Sequence, residues 1–284
     1  MNFHRSPNTF IGHVHLTVSD LKRSLTFYTE TLGFRVLEET DNKVTLSTDN
    51  QTPLIIIEQE EKVLPKQQRT TGLYHFAILV PNRRDLGAFI RHISESGYPV
   101  QGASDHLFSE AVYLADPDGH GIEVYVDRPE SEWVWKNGEL PFISDPLDID
   151  SLLKESGDKE WSGFPNKTVL GHIHLHVADL NTAKIFYNEG LGFDITVPFR
   201  HQALFVSSGR YHHHIGLNTW NGQGAPAPGE NHVRMNWYSI VLPSEEVRSS
   251  IIERLVKIGA SIHKENGSVW IKDPSHNKIR LDLA

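Results

Sequence analysis

The sequence of 284 residues contains no cysteine. This absence excludes disulfide bonds, thiolate metal ligands and a cysteine nucleophile. No apolar run is long enough to cross a membrane, and the first ten residues lack the apolar core of a secretory signal. Lys and Arg number 27 against 36 Asp and Glu, without a basic cluster, which disfavours a surface that binds phosphates. We therefore expect a cytoplasmic protein that binds neither nucleic acid nor a membrane.

Histidine, in contrast, is abundant, with 17 residues. In a protein without cysteine, imidazoles and carboxylates are the side chains that can hold a transition metal. The proportions of hydrophobic residues (38%) and charged residues (22%) are those of an ordinary folded protein, and the length is sufficient for two domains. The positions of the histidines, rather than their number, decide whether a metal site is expected.

The chain contains an internal duplication. Residues 11–34 read IGHVHLTVSDLKRSLTFYTETLGF, and residues 170–193 read LGHIHLHVADLNTAKIFYNEGLGF. A weaker repeat follows each copy, and it aligns LYHFAILVP (73–81) with MNWYSIVLP (235–243) and DPDGHGIEVY (116–125) with DPSHNKIRLD (273–282). The chain therefore contains four modules, which we call A, B, A′ and B′ in chain order.

Each module has the same predicted order of elements: a strand, a helix and three strands. In module A, His13 and His15 share one face of the first strand, because successive side chains of a strand point to opposite sides. Asp20 is predicted to cap the following helix and Gly33 to follow its end. A single strand histidine is usually structural, but the duplicated His-x-His pattern favours a ligand function. The predicted modules are A (9–66), B (72–127), A′ (168–221) and B′ (233–284), so that 1–127 and 168–284 are two pairs joined by a surface linker at 128–167.

These motifs resemble those of the vicinal oxygen chelate superfamily, in particular GHVHLTVSDL followed by FYTETLGF and the ending DPDGHGIEVY. Within that superfamily, the four-module length resembles the extradiol ring-cleavage dioxygenases of the catechol 2,3-dioxygenase type. The resemblance covers the chain apart from the linker. It implies an α+β fold in which four βαβββ modules form two open sheet barrels. Each barrel is formed by two modules around a concavity that can hold one metal ion.

Carried onto this sequence, the resemblance implies metal ligands on the first strand of one module and on the first and last strands of its partner. The first-strand positions are His13, His75, His172 and Trp237 in chain order, and the last-strand positions of modules B and B′ are Glu123 and Arg280. Since tryptophan and arginine do not hold a cation, module B′ is expected to lack a site. Module B then supplies His75 and Glu123, and the third ligand is His172 if A′ pairs with B, or His13 if A pairs with B.

A second motif favours His172 as the third ligand. In extradiol enzymes an acid–base histidine follows the first ligand within the same module. The segment GRYHHHIGL (209–217) resembles that motif and gives this role to His213. The corresponding stretch of module A, NQTPLIIIE (50–58), has no histidine. The crossed pairing of A′ with B is therefore predicted over the pairing of neighbours.

The resemblance further implies that Tyr113 donates a hydrogen bond to the substrate and that His106 helps to bind it. The expected activity is an Fe(II)-dependent dioxygenase, with Mn(II) as the alternative metal, that takes O2 and a catechol-type substrate. The expected product is ring-opened beside the two hydroxyl groups. We expect Trp220, Trp237 and residues 199–205 to line the pocket.

Two other functions remain open at this stage. A glyoxalase-like metal-dependent lyase or isomerase is disfavoured because the first-strand positions of modules A and A′ are histidine rather than glutamate. A small-molecule (drug) binding protein without catalytic activity is disfavoured because such proteins lack the ligand triad. The exposed sheet edges of such modules are compatible with a homo-oligomer.

Overall fold

The computed structural model of the chain describes residues 3–199 and 202–284. Modules A and B each contain a strand, a helix and three further strands, in the predicted order. Module A comprises β1 (Phe10–Thr17), α1 (Leu21–Thr26), β2 (Arg35–Glu39), β3 (Lys43–Ser47) and β4 (Ile55–Glu58), and module B comprises β5 (Gly72–Leu79), α2 (Arg83–Ser96), β6 (Val100–Asp105), β7 (Ser109–Ala115) and β8 (Gly121–Asp127).

The second half of the chain repeats this order after a connecting segment that contains a 3₁₀ turn (Glu130–Glu132) and the helix α3 (Ile149–Ser156). The βαβββ organisation is thus confirmed in all four modules. Module A′ comprises β9 (Val169–His176), α4 (Leu180–Lys184), β10 (Asp194–Phe199), β11 (Ala203–Ser207) and β12 (Ile215–Asn218), and module B′ comprises β13 (Arg234–Leu242), α5 (Glu245–Lys257), β14 (Ile262–Glu265), β15 (Ser268–Lys272) and β16 (Lys278–Leu283).

The helices begin where the sequence predicts. Asp20 caps α1 by accepting a hydrogen bond from the backbone N–H of Arg23 (2.9 Å), and the duplicated Asp179 caps α4 in the same way. Each of these helices continues into a π-helical turn that carries the Phe-Tyr pair of the repeat. Gly33 follows the end of the first turn with a φ of 82°, which is the left-handed conformation expected of a residue in this position. No helix in the described part of the chain is both long and apolar enough to cross a membrane.

The sixteen strands of the described residues form two eight-stranded sheets that pair the modules crosswise. One sheet has the order β14-β15-β16-β13-β1-β4-β3-β2, and the other has the order β10-β11-β12-β9-β5-β8-β7-β6. Module A therefore shares a sheet with B′, and module B shares a sheet with A′, as the sequence predicted. The two pairs defined along the sequence, 1–127 and 168–284, each contribute one module to each sheet.

Neighbouring modules of the chain are connected by duplicated hydrogen bonds between buried side chains. The hydroxyl of Tyr28 donates to Oδ2 of Asp116 (3.0 Å), which links module A to module B. The hydroxyl of Tyr187 donates to Oδ2 of Asp273 (2.8 Å), which links A′ to B′. Modules A and B lie in different sheets, and so do A′ and B′. The two hydrogen bonds therefore hold the sheets against each other.

The segment predicted as a surface linker contacts the rest of the molecule extensively. Helix α3 packs so closely on α2 that a Cβ atom added to Gly87 would lie 2.2 Å from the carbonyl oxygen of Leu152. The backbones of Asp105 and Asp145 pair through two hydrogen bonds of 2.9 Å, which attaches the segment to β6. The segment therefore packs against module B, in the sheet that B shares with A′.

Replacement of either bridging tyrosine by phenylalanine tests the link between the sheets. We expect Tyr28→Phe and Tyr187→Phe each to lower the free energy of unfolding by about 1.5–3 kcal/mol, because a buried carboxylate loses a hydrogen bond. Chemical denaturation measures the change. Tyr98→Phe is the matched control, since the Tyr98 hydroxyl donates to the neutral carbonyl of Ala115 and its loss is expected to cost less. Equal effects in all three variants would contradict the assignment.

Candidate metal centre and active site

Three candidate ligands converge in the concave face of the sheet that modules B and A′ share. His75 lies on β5, Glu123 on β8 and His172 on β9, which are neighbouring strands of the sheet. Ala77 on β5 is the register partner of both Glu123 and His172. His75, two residues earlier on the same strand, points to the same face as Ala77. The strand register therefore brings all three side chains to one point.

The ligand atoms lie close enough to share one ion. Oε2 of Glu123 lies 3.0 Å from Nε2 of His75 and 3.1 Å from Nε2 of His172. One ligand atom from each of the three residues lies within 4.8 Å of the other two, and all three side chains are buried. Both imidazoles thus converge on one oxygen of a single carboxylate.

The electrostatics of the cluster fit ligands in their metal-binding forms. Burial alone would raise the pKa of Glu123, but the charges and hydrogen bonds of His172 and His75 hold it well below its usual range. Burial lowers the pKa of His172 to about 4, although Glu123 opposes the shift. The carboxylate is therefore ionised, and His172 is neutral at pH 7, as metal coordination requires.

A divalent metal ion fits these residues. Nε2 of His75 and Nε2 of His172 both lie against Oε2 of Glu123 in a buried cluster, so two imidazole nitrogens and one anionic oxygen are available to a single cation. Donors at right angles and about 2.1 Å from one cation are about 3.0 Å apart, which matches the separations from Glu123. Two imidazoles and one carboxylate form the facial triad that is typical of non-haem Fe(II) sites with open positions.

A cavity of about 220 Å³ opens directly onto these three residues. The other residues predicted for the site also line it, namely Tyr113, His106 and His213. Aromatic side chains form most of the remaining wall, and the lining further includes Tyr74, Ser104, Phe108, Phe142, Ile143, Ser144, His174, Val197, Phe205 and Trp220. The structure therefore brings every predicted site residue except the alternative ligand His13 to one place.

Tyr113 and His106 are hydrogen-bonded to each other in the cavity wall. Nδ1 of His106 lies 2.6 Å from the carbonyl oxygen of Ile143 and therefore carries the proton that it donates. Nε2 of a neutral His106 is then the acceptor for the hydroxyl of Tyr113, at 2.8 Å. Burial, followed by the charge of Glu123, raises the pKa of Tyr113 well above its ordinary value, so this hydroxyl keeps its proton.

His213 lies against the candidate ligand His172. The centroids of the two rings are 4.1 Å apart, and Phe205 contacts His213 from another side with a centroid distance of 5.0 Å. Burial, followed by the charges of the neighbouring histidines, lowers the pKa of His213 well below its ordinary value. The cavity thus contains a neutral imidazole next to the three candidate ligands but separate from them.

Several wall residues were not predicted. Phe142, Ile143 and Ser144 come from the segment 128–167, which carries no repeat, so no local pattern indicates that it returns to the site. Of the predicted wall residues, Trp220 and Phe205 line the cavity, whereas 200 and 201 lie outside the described residues. Trp237 was predicted wrongly as a wall residue, because β13 belongs to the other sheet.

The equivalent position of the other sheet contains a guanidinium group in place of a carboxylate. Arg280 lies 3.0 Å from Nε2 of His13 and 4.5 Å above the ring of Trp237, and it is paired with both carboxylate oxygens of Asp282. A fixed positive charge at this point repels a cation. His13 therefore contacts Arg280 in a second cluster and lies in a different sheet from His75 and Glu123.

A larger open cleft, of about 850 Å³, lies near this second cluster. Its lining includes His15, Trp237 and Arg234, but it does not include the three candidate ligands. Size alone would favour this cleft, whereas the buried ionisable groups favour the smaller cavity. We assign the site to the smaller cavity because its chemistry, and not its volume, is specific.

Comparisons with known proteins agree with this arrangement. Residues 10–124 match the Glyoxalase/Bleomycin resistance protein/Dioxygenase superfamily. A catechol-2,3-dioxygenase of Bacillus subtilis (strain 168) is 44% identical over 270 residues, which are 94% of this chain and 94% of the relative. A lactoylglutathione lyase of Escherichia coli O157:H7 is 29% identical over 131 residues, which cover 41% of this chain and 91% of the lyase.

Solved structures share the fold at low sequence identity. A protein of Bacillus subtilis subsp. subtilis str. 168 that is assigned as a dioxygenase has a TM-score of 0.66 and 13% identity, and the match covers 96% of this chain and 84% of that chain. Glyoxalase I from Zea mays has a TM-score of 0.58 and 16% identity, over 96% of this chain and 92% of that chain. At these identities the likeness extends to the fold alone.

Metal analysis of two alanine variants tests the candidate centre. After anaerobic loading with Fe(II), or with Mn(II) in parallel, and removal of free metal, we expect the wild-type protein to retain one ion per chain. His172→Ala should retain far less than one, because a three-ligand site loses a ligand. His13→Ala is the matched control and should retain one ion. Loss of metal from His13→Ala, or two ions in the wild type, would contradict the assignment.

Proposed function

Since the chain belongs to the catechol-2,3-dioxygenase family of the Glyoxalase/Bleomycin resistance protein/Dioxygenase superfamily, we propose that it is an Fe(II)-dependent extradiol dioxygenase. In this proposal it adds both atoms of O2 to a catechol and opens the ring beside the two hydroxyl groups. The observation that carries the proposal is the meeting of three candidate ligands with a neutral imidazole and a tyrosine hydroxyl around one cavity. The relative with 44% identity supports the same activity by its name.

The proposed metal ligands are His75, Glu123 and His172. Fe(II) bound there would supply the Lewis acidity and the electronic link through which a catechol and O2 react. These three ligands would leave coordination positions for both reactants. Mn(II) takes similar ligands, so it remains the alternative metal. Binding both reactants next to each other replaces an improbable encounter by a fixed geometry.

His213 is the proposed acid–base residue. A catechol must release a proton to become a good donor, and a later step must return one. A neutral imidazole within reach of the substrate can accept the first proton and deliver it again. Its contact with His172 places it within one side-chain length of the proposed metal site. His174 also lines the described cavity, but its ring lies 5.0 Å from that of His75, whereas the rings of His213 and His172 are 4.1 Å apart.

Tyr113 is proposed to donate a hydrogen bond to the substrate oxygen that gains negative charge. Its raised pKa keeps the hydroxyl protonated, and its ring lies 5.7 Å, centroid to centroid, from that of His75. His106 accepts from this hydroxyl before substrate binds and thereby holds the ring in place. Donors that are oriented before the reaction stabilise developing charge without further rearrangement.

The aromatic wall suits a small ring and excludes water. Phe108, Phe142 and Phe205 line the cavity from three different segments, and Trp220 is partly exposed at its border. Such walls bury an aromatic substrate and strengthen the hydrogen bonds that surround it. The proposed partners are thus a catechol-type substrate and O2. We further propose a cytoplasmic enzyme of aromatic-compound breakdown that can associate as a homo-oligomer.

An oxygen-consumption assay tests the activity. The protein is loaded anaerobically with Fe(II) and mixed with catechol in air, and we expect one O2 to be consumed for each yellow ring-opened product. His213→Gln should lower kcat by about 100-fold or more while metal content is unchanged, because general acid–base catalysis is lost. Full metal loading without turnover of any catechol would instead favour the glyoxalase-like lyase or the non-catalytic binding protein.

Tyr113→Phe tests the proposed hydrogen bond to substrate. We expect kcat to fall by about 10- to 100-fold with little change in bound metal, because one donor to the developing charge is lost. Steady-state kinetics and metal analysis measure both quantities. Tyr98→Phe, which alters a hydroxyl remote from the cavity, should leave kcat unchanged. An effect of Tyr113→Phe on metal content alone would contradict the role in substrate binding.

A further inference from the structure

We propose that Asp127 and His212 are positioning residues that fix the tautomer and the orientation of His213, through a chain of hydrogen bonds that runs from the cavity to the end of β8. The inference deepens the proposed function and rests on it for the role of His213 as the acid–base residue. Neither Asp127 nor His212 lines the cavity, so neither is expected to touch the substrate.

The chain of hydrogen bonds is short and continuous. Nδ1 of His213 lies 2.7 Å from Nδ1 of His212. The other ring nitrogen of His212, Nε2, lies 2.9 Å from Oδ1 of Asp127. His212 is completely buried, whereas the carboxylate side chain of Asp127 is 23% exposed. His213 is thus connected through one buried ring to a carboxylate at the protein surface.

The order of donors follows from the chemistry of the terminal group. An ionised carboxylate can only accept, so Nε2 of His212 must carry the proton that points to Asp127. When His212 is neutral, its Nδ1 has the lone pair and accepts from Nδ1–H of His213. His213 therefore has its own lone pair on Nε2. Of the two tautomers of a neutral His213, the chain of hydrogen bonds selects the one with an unprotonated Nε2.

Neighbouring groups hold the chain of hydrogen bonds in place. The hydroxyl of Tyr211 donates to Oδ1 of Asp127 (3.0 Å), and the hydroxyl of Tyr125 lies 2.7 Å from that of Tyr211. The ring of Phe108 stacks on that of His212 with a centroid distance of 4.6 Å and an interplanar angle of 21°. These contacts restrict rotation of both Asp127 and His212. The orientation of the His213 ring therefore depends on these packed neighbours as well as on its own side-chain torsions.

The same strand supplies a metal ligand and the anchor of this chain. Glu123 and Asp127 are four residues apart on β8, and side chains of a strand that are an even number of residues apart share a face. A displacement of β8 would move both groups together. The strand that carries the candidate ligand Glu123 therefore also carries the carboxylate to which His212 is anchored.

Paired substitutions at position 212 test the inference. In His212→Leu the acceptor for Nδ1–H of His213 is lost, and we expect kcat to fall by about 100-fold, as for a misplaced reacting group, with KM and bound metal near wild type. In His212→Asn the amide oxygen can occupy the position of Nδ1 and accept the same proton. This variant should recover most of kcat.

A neighbouring histidine provides the matched control. His214 is equally buried and is one residue further along the same segment as His213. Its ring nitrogens contact the hydroxyl of Ser207, the backbone N–H of Ser208 and the carbonyl of Phe3, and none of these groups belongs to the chain of hydrogen bonds described here. His214→Leu should lower the melting temperature as much as His212→Leu does but should leave kcat within a few-fold of wild type. Equal losses of kcat in the two leucine variants would overturn the inference, as would failure of His212→Asn to exceed His212→Leu.

A second measurement does not depend on turnover. In protein loaded with Zn(II) and labelled with ¹⁵N-histidine, the chemical shifts and long-range couplings of the ring nitrogens distinguish the two neutral tautomers. We expect His213, identified from the spectrum of His213→Gln, to carry its proton on Nδ1, and Asp127→Ala to remove this preference. A proton on Nε2 of His213 in the wild type would overturn the inference. Absence of dioxygenase activity with the expected tautomer would instead refute the proposed function and leave the hydrogen-bond chain intact.

Discussion

The antiparallel pairing of β5 with β9 is the constraint on which the candidate site depends. It makes Ala77 the register partner of His172, and the parallel pairing of β5 with β8 makes Ala77 the partner of Glu123 as well. Because strand side chains alternate between faces, a shift of one residue in either pairing would turn a ligand away from the cavity. The hydrogen bonds that join the two sheets through Tyr28 and Tyr187 support this pairing from outside the site.

The sheet that modules A and B′ share has the same order of strands, and it shows which side chains decide the chemistry. There, Trp237 and Arg280 occupy the positions of His75 and Glu123. The guanidinium satisfies Asp282 and lies against His13, so the cluster is neutralised by the protein's own charges. In the sheet of modules B and A′, Glu123 is a buried negative charge, and burial favours the neutral form of its neighbour His172. A buried carboxylate in such surroundings is stabilised by a cation, which explains how two substitutions separate a metal site from a structural one.

Much of this arrangement was predictable because its signals are local. The duplication, the face of the strand that carries His13 or His172, and the capping residue Asp20 all follow from short spacings in the sequence. The crossed pairing needed a comparison between modules, since only A′ combines a first-strand histidine with His213. The contributions of Phe142 and Asp127 were not predictable, because they depend on contacts between segments far apart in sequence. For the same reason Trp237 was expected in the wrong cavity: its residue type suits a pocket wall, but the partner of its strand decides which pocket it reaches.

Charge compensation connects the metal centre with the proposed proton transfer. In the proposed function, a divalent ion held by Glu123 and two neutral imidazoles would carry one net positive charge, which would favour an anionic catechol over a neutral one. In a cavity with aromatic walls this preference is strengthened, because little water is present to screen it. The proton released by the substrate then needs an acceptor that is itself uncharged, since a second cation next to the metal would be unfavourable. His213 meets this requirement when its free nitrogen faces the cavity. The proposed function therefore requires a defined tautomer of His213, and the hydrogen bonds from Asp127 through His212 would supply it.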